Sequence, residues 1–169
     1  MDFSTILEYG RNISAAVVLA GVLYAIYLWA NGIAPALMRL GNGLAKRKIC
    51  IFAKGEMLES LRSLLYDSTL VKEKNIVGVN TSSDIGKCES TTLFLVSWSD
   101  WSPEEFAEIL KRKNDGTAFI VYAPQDRGFI PAESMKLLNN HRNVMVSNFR
   151  GRLLNDVVTS MITTSYEKD

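Results

Sequence analysis

Residues 13–30 read ISAAVVLAGVLYAIYLWA, a run without one charged side chain. A helix of about 20 residues spans the hydrocarbon core of a bilayer, and Asn12 with Asn31–Ile33 extends this run to that length. A soluble core helix, apolar on every side, would need protein packed all round it, and a chain of 169 residues offers little. A secretory signal peptide would open on basic residues, carry a shorter apolar core and end at a small-residue cleavage site. Here Asp2 and Glu8 outweigh Arg11. Tyr24, Tyr27 and Trp29 collect toward one end, where amphipathic rings favour the membrane interface. The expectation is one membrane-spanning helix.

Arg39, Lys46, Arg47 and Lys48 follow the run. Basic residues stay on the cytoplasmic side, so the chain reads as a single-pass inner-membrane protein with its C-terminal part in the cytoplasm. Residues 1–45 then form the membrane and juxtamembrane segment, and residues 46–169 one cytoplasmic domain of ordinary size. Pro35 should kink or restart the helix, leaving an interfacial piece APALMRLGNGLAKRK. Ala16 and Ala20, then Gly21 and Ala25, are small residues four apart, a spacing that lets helices approach closely. A homo-oligomer would pack on Gly21 and Ala25, and a water path would need Ser14, Tyr24, Tyr27 and Asn31. A plain anchor accounts for the same residues equally well.

The formal net charge of +1 argues against a partner as anionic as long nucleic acid. Cys50 lies in an apolar run and reads as a buried small hydrophobe, and Cys88 lies in a polar loop. A cytosolic domain would not join them in a disulfide. His141 is the one histidine, with no ligand spacing around it, so no metal, no cofactor and no Ser–His–Asp chemistry is expected.

Past Lys46 the hydrophobic period alternates. Short apolar runs at 48–53, 75–79, 91–98, 118–122 and 143–146 read as strands. Segments 56–66, 102–113, 132–138 and 152–163 carry apolar residues at helical spacing. The second opens most clearly as a helix: Ser102 as N-cap, Pro103 at the first position, then Glu104 and Glu105. Strands apolar on both faces and separated by helices predict an α/β fold with a five-stranded, mainly parallel, flavodoxin-like sheet in the order 2-1-3-4-5.

In such a sheet a ligand sits beyond the carboxyl ends of the strands. Lys54, before Gly55 and the first domain helix, could meet an anion at a helix start. Ser82 and Ser83 supply hydroxyls after the second strand, Trp101 an aromatic face after the third. Arg150 and Arg152 place two guanidiniums after the fifth, suited to phosphate. Each also has an ordinary reading as turn, core or surface ion pair with Asp126 or Glu133. With no P-loop and no GxGxxG, the pattern fits a nucleotide held by an unfamiliar set of loops.

Residues 48–163 resemble the TIR-like group of α/β signalling domains and, more loosely, the CRISPR-associated Rossmann-fold sensors. The local match is Trp101–Ser102–Pro103–Glu104–Glu105 against the TIR pattern Trp-Cys-x-x-Glu after the third strand. The first strand, KICIFAKG, lacks the aspartate and serine usual there, and the loop after the second strand is short. The resemblance implies two activities. A membrane helix fused to such a domain is similar to membrane effectors of bacterial antiphage defence, in which a nucleotide second messenger binds the cytoplasmic domain and the helices permeabilise the inner membrane. Catalytic TIR domains instead cleave NAD with the glutamate matched by Glu105. A membrane-anchored scaffold for a protein partner is the third expectation.

Overall fold

The computed structural model describes residues 3–32, 34, 35, 41, 47–88 and 91–164. Two compact units result, Met1–Gly41 and Asn42–Asp169. In the first, helix α1 (Phe3–Asn31) runs for 29 residues, about 43 Å at 1.5 Å per residue. Its segment Ser14–Asn31 is long and apolar enough to cross a membrane, and none of it is buried. At 100° per residue, Ser14, Gly21 and Ala25 share one stripe and Tyr24, Tyr27 and Asn31 the adjoining one. The Asn31 side chain turns back on its own helix, donating to the Tyr27 carbonyl at 3.0 Å. Most of the interfacial piece expected after Pro35 lies outside the described residues.

The second unit is built on strands β1 (Ile49–Phe52), β2 (Ile76–Val79), β3 (Leu93–Ser97), β4 (Ala118–Tyr122) and β5 (Val144–Ser147). Helices α2 (Gly55–Asp67), α3 (Pro103–Lys111), α4 (Ala132–Asn139) and α5 (Arg150–Thr163) alternate with them. The sheet order is β2-β1-β3-β4-β5 and every pairing is parallel. The three inner strands are buried at every position, which is why they read as unbroken apolar runs. The edge strands β2 and β5 are only partly buried.

Side chains alternate across the sheet and divide the core in two. On one face Ile49, Ile51, Leu93, Leu95 and Ile120 pack on Leu61 and Leu65 of α2 and Leu153 and Val157 of α5. On the other, six rings form a continuous chain, each meeting the next with centroids 4.8–6.4 Å apart: Trp101, Phe52, Phe94, Phe119, Phe106, Trp98. Edge-to-face and tilted contacts of this kind add to the area buried. Ile109 and Leu110 of α3 and Leu138 of α4 close that face.

Between β2 and β3 the described residues form no α-helix. The chain takes a 3-10 stretch, Ser82–Cys88, whose Ile85 and Cys88 are buried. Here the structure corrects the sequence reading of the cysteines: Cys50 and Cys88 are joined in a disulfide, with Cα atoms 5.9 Å apart. Alternation along β1 points Cys50 to the α3/α4 face, and the 3-10 stretch lies on that same face.

Candidate functional site

Strands β1 and β3 are neighbours whose outgoing connections leave in opposite directions, so their carboxyl ends flank the crevice where ligands of such sheets bind. Lys54 stands directly above β1 as the N-cap residue of α2, and Gly55 follows in a left-handed conformation at φ +53°. From β3 the chain descends through a short 3-10 turn, Trp98–Asp100, into α3.

Three residues, one from each of three loops, converge on Glu105. Ser102 caps α3 by accepting from the Glu105 backbone N–H at 3.2 Å, and the Glu105 carboxylate accepts from the Ser102 backbone N–H at 3.0 Å, a complete capping box. The other carboxylate oxygen takes a short hydrogen bond from the Ser82 hydroxyl, after β2. Lys54 Nζ lies 3.4 Å from Oε2 and 4.4 Å from the centroid of the Trp101 ring. The Lys54 backbone N–H donates to Asp100 Oδ2 at 3.0 Å, and the Trp101 indole N–H donates to the Phe52 carbonyl at 3.1 Å. The loops after three strands are thus tied together around one carboxylate.

The hydrogen bond from Ser82, then that from the Ser102 backbone and the charge of Lys54, hold the Glu105 carboxyl below its ordinary range. Because the folded value is depressed, the tie stabilises the domain at neutral pH. That contribution disappears as pH falls through the folded value. The Glu105 side-chain carbonyl shift in NMR should titrate with a midpoint below that of an ordinary glutamate, and Ser82→Ala should move that midpoint upward.

Lys54, Ser82, Trp101 and Glu105, all picked out in the sequence, therefore meet at one point. Ser83 stays in its own loop, its hydroxyl 3.0 Å from that of Thr81. Trp101 is buried with Lys54 over its ring, so a base stacking there would have to displace the lysine. Arg150 and Arg152 stand apart from this cluster, above β5, three strand spacings or about 14 Å along the sheet from β1. Arg150 donates to the Ser60 hydroxyl at 2.8 Å and its carbonyl at 3.2 Å, joining α5 to α2. Arg152 pairs with Asp156 one turn along its own helix at 3.0 Å.

Two features escaped the sequence reading. Asp100 looks like a turn acid, and only its place after β3 at the crevice hinted at more. Ser97 and Ser147 end β3 and β5 in register with Tyr122 between them, both buried with hydroxyls that have no protein partner. A serine closing an apolar strand was the available signal. Among the described residues no group of three or more His, Cys, Asp or Glu side chains could hold a metal ion. No protein-family model, no curated protein and no solved structure matches the chain.

Proposed function

We propose that this chain is a ligand-gated membrane effector: α1 resides in the inner membrane, assembled with other copies, and the α/β domain senses a nucleotide second messenger from the cytoplasm. The observation that carries the reading is the Lys54–Glu105–Ser82 tie at the switch point. Lys54 is a cation held by one partly exposed ion pair and by the face of the Trp101 ring, and surface pairs of this kind are weak. A phosphate brings more charge and more acceptor oxygens than one carboxylate. It can take Lys54 from Glu105 and so remove the side-chain tie between the loops after β1 and β3, leaving Ser82 on Glu105 and the Lys54 backbone on Asp100. A messenger that prefers the released arrangement shifts the population toward it, and that differential affinity is the whole of the coupling. The resemblance to antiphage membrane effectors supports leakage of the inner membrane as the output.

The test is membrane potential in cells, triggered by phage infection or by co-expression of a nucleotide synthase. Wild-type protein should depolarise the membrane on triggering. Lys54→Ala should remove the response or shift its threshold by about tenfold, one charge-assisted contact's worth. Depolarisation unchanged by Lys54→Ala sinks the reading. A fall in cellular NAD that Glu105→Gln abolishes would move the function to the NAD glycohydrolase. Against that enzyme, both oxygens of Glu105 are already engaged by Ser82, Ser102 and Lys54.

A further inference from the structure

The carboxyl ends of β4 and β5 hold a second feature, separate from the Lys54 cluster. A cavity of about 190 Å³ opens there, lined by Ala123, Gln125, Phe129, Met135, Val146 and Asn148. Val146 and Met135 belong to the edge of the aromatic core face, and Asn148 continues the same alternation one step beyond Val146. The half-buried Met135 and Val146 give an apolar floor, and Gln125 and Asn148 are exposed polar residues of the lining. On the loop after β4, Gly128 at φ +104° turns the chain, and Phe129 follows with 85% of its surface in solvent. A large ring held out at the rim of a small apolar cavity is the unusual element, since such rings are ordinarily buried.

Size and chemistry select the occupant. Pockets for drug-sized ligands run from about 300 Å³ upward, so this one takes a single ring system and leaves the rest of a ligand outside. An apolar floor accepts a ring face, an aromatic rim can stack on it, and primary amides carry both donors and acceptors for the edge of a base. We infer that the Phe129–Asn148 cavity is the base subsite of the nucleotide-sensing domain, taking one heteroaromatic ring while the sugar-phosphate remains at the carboxyl edge of the sheet. This rests on the sensor reading above and adds the ligand's recognised part.

The probes are adenosine and guanosine monophosphates, with ribose 5-phosphate as the ring-less control. They are titrated into the full chain in detergent micelles carrying ¹³C-methyl methionine. The Met135 methyl should shift and saturate with at least one nucleotide in the millimolar range appropriate to a ring-sized contact. Ribose 5-phosphate should leave it unmoved. Asn148→Ala and Phe129→Ala change exposed side chains, and each should weaken binding by about tenfold without altering thermal stability. Lys54→Ala should leave the Met135 response in place. No shift with either nucleotide, an equal shift with ribose 5-phosphate, or undiminished binding in Asn148→Ala overturns the base subsite. If Met135 is silent while triggered depolarisation still depends on Lys54, the subsite falls and the switch-point sensor stands. If Met135 responds and depolarisation ignores Lys54, the subsite stands and that sensor falls.

Discussion

Phe119→Ala should destabilise the α/β domain by about 3–5 kcal/mol, the range for deleting a buried phenyl ring. Phe119 is fully buried near the start of β4, with β3 and β5 on either side. Its ring meets Phe94 at 6.2 Å and Phe106 at 5.9 Å between centroids, so it links the sheet's rings to Phe106 of α3 and, through it, to Trp98 of the preceding turn. Neither neighbour can move into the gap easily. Phe94 is held on its other side by Phe52 at 5.0 Å, and Phe106 by Trp98 at 4.8 Å. Against a total stability of about 5–15 kcal/mol for a domain, the loss is large. It corresponds to a fall in melting temperature on the order of 10–20 °C for a domain of this size. Thermal unfolding of the full chain in micelles, followed by near-ultraviolet circular dichroism from the tryptophans, measures it. A loss below about 1 kcal/mol would mean that the ring chain is not the core of that face.

The same strands show how far the sequence could be read. β3 and β4 are apolar on both faces because helices cover both, so their runs were visible without alternation. The start of α3 was written out as Ser102, Pro103 and two glutamates, and the capping box formed as that order implies. Strands apolar on both faces and separated by helices imply the parallel sheet, and of the flavodoxin-like and Rossmann-like orders such units allow, the first is the one observed. What failed to show was contact between segments distant in sequence. Arg150 and Arg152 share spacing and charge, yet Arg152 pairs locally with Asp156 one turn along α5, whereas the partner of Arg150, Ser60, is fixed by how α2 and α5 share a face. Lys54 and Glu105 are 51 positions apart, and only the adjacency of β1 and β3 makes them a pair. The exposed Phe129 ring and its cavity depend on loop geometry at Gly128, which no period encodes.

Cys50 and Cys88 were the clearest miss, and replacing both by alanine carries the second large expected effect. The bridge spans 38 positions, and closing a loop of that length in the unfolded chain is worth about 4 kcal/mol in the chain-entropy account. The double variant should therefore unfold that much more readily than the oxidised protein, and a dithiol reductant should bring wild type to the same level. The effect should reach the switch point as well. Cys88 ends the 3-10 stretch that begins with Ser82, so the bridge to β1 fixes the segment whose hydroxyl holds Glu105. Freed at one end, that segment should hold Glu105 less firmly. The Glu105 midpoint should then rise toward its ordinary value, because the Ser82 bond is the largest cause of its depression. The pair also tests the topology drawn from the basic residues after α1. Cytosolic thiols are kept reduced, whereas an oxidising compartment preserves such a bridge. Cells quenched in acid and alkylated before reduction should give two labelled cysteines if the domain faces the cytoplasm, with the bridge closing on purification. Full protection from alkylation in those cells would place the domain across the membrane and overturn its role as a reader of cytoplasmic nucleotides.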